Sequence, residues 1–177
     1  MPKIENNMKV GRKDIYGDFC RAKYIFRGPP IPRWRLIVFA PLCIVLGQVL
    51  VAESLRYFGF PEQISTTPFE PRAPLIRLFF GIVLAPFLET IIFQWICIEI
   101  LRRLKLDLCF AALISAVLFA VSHGWEGRWP IEIFVAGVVL AYVFMVEKYR
   151  ENGRPIFLTF AVHAVFNFMV FVISIWG

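Results

Sequence analysis

The amino-acid sequence predicts an all-α polytopic membrane bundle of about five transmembrane helices, preceded by a basic, amphipathic N-terminal segment. Hydrophobic residues fill 59% of the 177 positions and charged residues only 18%, with a mean hydropathy of +0.68. An ordinary soluble domain of this length does not have so apolar a composition. The apolar residues fall into successive runs near the ~20 residues needed to cross hydrocarbon. Most of the charges gather between the runs, where a membrane protein keeps its water-exposed connections.

Residues 1–33 form the first region. Up to position 35 the chain carries nine basic residues (Lys3, Lys9, Arg12, Lys13, Arg21, Lys23, Arg27, Arg33, Arg35) against Glu5, Asp14 and Asp18, an excess equal to the net charge of +6. Tyr16, Phe19, Tyr24, Phe26 and Trp34 are interleaved with these charges. That mixture fits a segment lying on an anionic leaflet, and it is preferred to an arm tracking nucleic-acid phosphates. The first apolar run begins only near Leu36 and lacks a following small-residue cleavage site, so targeting is expected to be internal. Arg27-Gly-Pro-Pro-Ile-Pro32 reads as a stiff connector into the bundle.

Residues 34–177 are expected to form one helical domain. Its spans are read as Trp34 to Tyr57, Pro74 to Leu101, Asp107 to His123, Pro130 to Tyr149 and Ile156 to Trp176. The second is long enough to tilt strongly or to break near Pro86, and the third is the shortest. Gly137 in the fourth is expected to permit close helix packing. The clusters Arg102, Arg103, Lys105 and Lys148, Arg150, Arg154 alternate correctly with the basic N-terminus to lie on one side. By the positive-inside rule that side is cytoplasmic. The localisation expected is a bacterial plasma membrane. Cys20, Cys43, Cys97 and Cys109 have no CxxC spacing and read as free thiols.

Against this apolar background a few polar residues stand out. Glu89 lies inside the second span, and the only two histidines, His123 and His163, lie at the end of the third span and inside the fifth. Ionisable groups at membrane depth are costly and mark functional sites. Helical spacing puts Phe119 beside His123, where it can wall the imidazole. The same spacing puts Asn167 beside His163, where its amide can orient the ring or point at an oxyanion. Taken singly, each group is explained by interhelical hydrogen bonding, worth only ~1 kcal/mol. Together they can activate water, with Glu89 as general base. At 1.5 Å per residue from the inner ends of the spans, Glu89 falls at about 18 Å, His163 at roughly 10 to 13 Å and His123 at about 24 Å. A single site therefore requires tilt or offset between helices.

Other intramembrane chemistries lack their parts. No serine sits in a Gly-x-Ser-Gly turn, the three aspartates (Asp14, Asp18, Asp107) lie outside the apolar cores, and there is no HExxH helix. Glu89, His123 and His163 also make up the His₂Glu set of some zinc centres. Water activation without a cofactor is preferred to zinc.

Three motifs carry a resemblance: Pro86-Phe-Leu-Glu89-Thr90-Ile-Ile-Phe93-Gln94, Phe119 to His123, and His163 to Asn167. In this order on apolar helices they resemble the CPBP family, the CAAX protease and bacteriocin-processing (Abi) group of intramembrane endopeptidases. The resemblance runs from about Ala85 to Asn167. It implies an endopeptidase in which Glu89 and His123 activate water while His163 and Asn167 stabilise the oxyanion. Phe93 and Phe119 match the family pattern. Thr90 and Gln94 stand where the family usually has a glutamate and an arginine, so one charge of each sign is lost together. The implied substrate is a membrane-anchored or lipidated protein or peptide precursor, with the bilayer itself as partner. The alternatives are a scaffold, immunity or regulatory protein of the same fold without catalysis, and an ion or proton pathway, against which the lack of inverted halves argues.

Overall fold

The computed structural model describes residues 31–60, 76, 78–124 and 129–176, with Trp129 and Trp176 described in backbone only. The basic N-terminal segment through residue 30 and the start of the second expected span lie outside the described residues. Among the described residues there are five helices: α1 (Arg33–Tyr57), α2 (Phe79–Arg103), α3 (Leu108–Ser122), α4 (Trp129–Lys148) and α5 (Pro155–Trp176). All but α3 are long and apolar enough to cross a membrane, making the chain a multi-pass integral membrane protein. The expectation of about five spans is thus met by four, with α3 short.

Local signals set the length of α3. Asp107 caps its start by accepting the Cys109 backbone N–H at 2.9 Å. At the other end His123 takes the cap position, and Gly124 turns the chain away with φ of 125°, a conformation that favours glycine. Fifteen residues rise only about 22 Å, short of the ~30 Å hydrocarbon core.

The core is built on α4, which packs against α1, α3 and α5. Ala136, Leu140, Val143 and Phe144 of α4 are buried, as are Ala111, Ala112, Ala116 and Ala120 of α3. Small residues bring these two backbones together, as expected for Gly137: a Cβ placed there would stand 2.9 Å from the Ala116 Cα. Large side chains of α1, such as Leu46, Val49 and Leu50, are exposed, which suits a helix bordered by lipid.

The end of the bundle that carries the basic loops is fastened by Glu147, in the last turn of α4. Its carboxylate is fully buried; it accepts from Arg33 Nε at 2.6 Å and from the Arg154 backbone N–H at 3.2 Å, and pairs with Arg150 Nε at 3.1 Å. Arg33 also donates to the Asn152 carbonyl, tying the start of α1 to the α4–α5 connection. Glu99 of α2 pairs with Lys148 of α4. Gln48 of α1 donates to the Glu132 carbonyl. Glu53 pairs with Arg56 on the surface.

α2 does not break at Pro86. It runs on as one helix whose turns over Phe79–Leu84 and Thr90–Cys97 are π-helical, with an ordinary α stretch at Ala85–Glu89 between them. Wide turns hold more residues than the 3.6 of an α-helix, so positions four apart stay in line. Pro86, Thr90, Gln94 and Ile98 accordingly form one buried row. π-helical turns inside α-helices are frequent at functional sites.

Candidate active site

Glu89 is the last residue of the regular stretch between the two wide turns of α2. One carboxylate oxygen, Oε1, lies 3.7 Å from His123 Nε2, and the other, Oε2, lies 3.5 Å from His163 Nε2. Side-chain exposure is 24% for Glu89, 26% for His123 and 3% for His163. The three side chains whose simple depths scatter along the membrane normal therefore meet. The π-helical turn of α2 over Thr90–Cys97 rises less per residue than the regular helix assumed in those depths, which brings Glu89 nearer the level of His163.

Phe119 is the partition of the site. It is buried, and its ring centroid lies 4.7 Å from that of His123, 5.7 Å from that of His163 and 5.6 Å from that of Phe93. Phe119 thus packs against both imidazoles, and Phe93 backs the Phe119 ring. The backbone of Phe119 contributes as well. His123 Nδ1 is 2.8 Å from its carbonyl oxygen, and a carbonyl can only accept, so the Nδ1 position carries the proton. With the proton on Nδ1 alone, Nε2 turns a lone pair toward Glu89. Two acceptors facing each other across 3.7 Å call for a shared proton donor, and a water molecule can offer one hydrogen to each.

Asn167 also reaches α2. Its Nδ2 donates to the Gly81 carbonyl of α2 at 2.7 Å, while His163 Nδ1 is buried with no hydrogen-bond partner among the described residues. One N–H of the Asn167 amide is thus given to the first wide turn of α2, and among the described residues none of it reaches His163 Nδ1. Ser115 of α3 makes a matching contact, donating to the Phe93 carbonyl at 2.7 Å in the second wide turn. Gly81 and Ser115 were not singled out by sequence reasoning. A hydroxyl facing inward on an otherwise apolar helix was the available signal for Ser115.

Thr90 and Gln94 are fully buried, and the Oγ1 of the first and both amide atoms of the second find no partner among the described residues. Both are neutral, so the exchange of two charged residues for these leaves no buried ion uncompensated. The unpaired amide is still a stability cost. Among the described residues no group of three His, Cys, Asp or Glu side chains is arranged to hold a metal ion. A cavity of about 760 Å³ lies between α1 and α4 beside Trp34, Phe39 and Tyr142, and none of the converging residues lines it.

The convergence of a carboxylate and two imidazoles is matched by the comparison with protein families. The model of the type II CAAX prenyl endopeptidase Rce1-like family matches residues 71–169, a stretch that includes Glu89, His123, His163 and Asn167. No curated protein and no solved structure matches the chain significantly. A match over 99 of 177 residues, enclosing every motif that meets at Glu89, means that the chain belongs to the Rce1-like type II CAAX prenyl endopeptidase family.

Proposed function

We propose that this protein is an intramembrane endopeptidase that cleaves membrane-anchored or lipidated protein or peptide precursors. The observation that carries the reading is Glu89, set between two histidine Nε2 atoms at 3.7 and 3.5 Å in a largely apolar surround. Water held between Glu89 and His123 loses a proton to the carboxylate as its oxygen attacks the scissile carbonyl carbon. His163 Nε2–H donates to the developing oxyanion in a site from which bulk water is largely excluded. Collapse of the tetrahedral intermediate breaks the C–N bond, and the proton held by Glu89 passes to the leaving amine.

Family membership supports a protease, and the loss of the usual glutamate–arginine combination at Thr90 and Gln94 argues against assuming prenylated CAAX substrates. Processing of small membrane-bound precursors in a bacterial plasma membrane, with the N-terminus cytoplasmic, suits the charge pattern. The bilayer is the partner, and no nucleic acid is involved. The test compares protein termini in membranes from cells making the wild type, Glu89→Gln or His123→Ala at equal abundance. A new terminus made by the wild type alone identifies the substrate and the chemistry together. Identical termini at adequate coverage, with an unchanged phenotype, would replace the protease by a non-catalytic scaffold. Cleavage that persists after treatment with a strong chelator in a metal-free preparation would remove the zinc alternative.

A further inference from the structure

A proline inside a helix lacks the N–H that its preceding turn expects. In a regular α-helix the carbonyl left short by Pro86 is that of Ile82, four residues back. The first wide turn of α2 changes which carbonyl lacks a donor. There the Ala85 N–H reaches back five residues to the Phe80 carbonyl. Gly81 O thereby loses its i+4 donor, Ala85, to Phe80, and its i+5 position is Pro86, which has none to give. Buried backbone carbonyls in hydrocarbon must be satisfied from somewhere. The Asn167 amide, arriving from α5, supplies the bond at 2.7 Å.

We infer that Asn167 is a positioning residue: it replaces the hydrogen bond that Pro86 cannot make to Gly81, and so fixes the register of α2 against α5. This rests on the reading of Glu89 and His163 as catalytic. α2 and α5 run antiparallel. Gly81 lies eight residues before Glu89, and Asn167 lies four residues after His163. A carbonyl points toward the C-terminus of its helix and a side chain leans toward the N-terminus. The Gly81 carbonyl and the Glu89 side chain therefore reach toward each other along α2, shortening the span that His163 and Asn167 must match. Ser115 holds the Phe93 carbonyl from α3 on the far side of Glu89. Glu89 thus sits between two fastenings, each made by a helix that also carries one of the histidines.

The coupling of Pro86 to Asn167 gives a direct test. Pro86→Ala restores an N–H at position 86, and alanine is the better helix former, so this background folds. The full chain in lipid nanodiscs is compared as wild type, Pro86→Ala, Asn167→Ala and the double variant, by thermal midpoint and by rate of appearance of the new terminus. In the wild-type background Asn167→Ala is expected to lower the midpoint by about 2–4 °C and the cleavage rate about 100-fold. In the Pro86→Ala background it is expected to lower the midpoint by less than about 1 °C and the rate less than about threefold. If Asn167→Ala yields too little folded protein, its recovery in the double variant is the expected result. Equal losses in both backgrounds, in either readout, would overturn the inference and leave Asn167 acting on substrate. The midpoint cycle repeated in Glu89→Gln needs no proteolysis. It decides the Pro86–Asn167 coupling even where the termini show that the protease reading is wrong.

Discussion

The α3–α4 seam and α2 solve opposite problems within one small bundle. Along the seam, alanines and Gly137 let two regular helices approach until a single added carbon meets the Ala116 backbone. Both are uninterrupted α-helices, and close packing supplies the attraction that water exclusion cannot provide in lipid. α2 has two wide turns, a proline, and carbonyls satisfied by side chains from its neighbours. Only 22% of its apolar window is buried, against 50% for α4. The contrast shows where irregularity is tolerated. A helix that must present a carboxylate in mid-membrane departs from regular geometry, and it does so against a partner that does not.

That contrast can be broken first at the site itself. Glu89→Gln is expected to lower proteolysis by about 10²–10⁴-fold while moving the thermal midpoint little, since the amide keeps the shape of the carboxylate. A large loss of folded protein would instead make Glu89 part of the scaffold. Next comes the seam. Gly137→Val should force α3 and α4 apart and cost about 1–3 kcal/mol or more, read as loss of folded protein in detergent extracts. Gln94→Met replaces an unpaired buried amide by a side chain of similar length, and is expected to gain about 1 kcal/mol with a higher midpoint. A lower midpoint would mean that the amide is hydrogen-bonded in the membrane. The smallest effect belongs to Gly81→Ala, because a Cβ there meets nothing within 4 Å and the carbonyl that Asn167 uses remains. Its midpoint should stay within about 1 °C of wild type. The two glycine substitutions together ask whether tightness is confined to the seam.

The helices were legible because their causes are local in sequence. Apolar runs bounded by Pro, Asp and basic clusters predict Trp34 to Tyr57 where α1 occupies Arg33–Tyr57, and Ile156 to Trp176 where α5 occupies Pro155–Trp176. The meeting of Glu89, His123 and His163 was legible in kind, since ionisable groups in hydrocarbon need partners. Its geometry was not, because axial offsets between helices depend on the connections. Glu147, which governs one such connection, reads in sequence as one more charge near a basic loop. The wide turns were hidden for a different reason. Pro86 announces a disturbance in α2, but whether the helix breaks or widens depends on a donor more than eighty residues away, at Asn167.

The fastening at Glu147 bears on how the chain is made. Arg33 and Glu147 are separated by 114 positions, and α1 packs chiefly against α4 and α5. α1 must therefore wait in the bilayer until α4 and α5 have followed. Its docking waits on their synthesis, so chains truncated before α4 should retain an α1 that remains open to capture by membrane quality control.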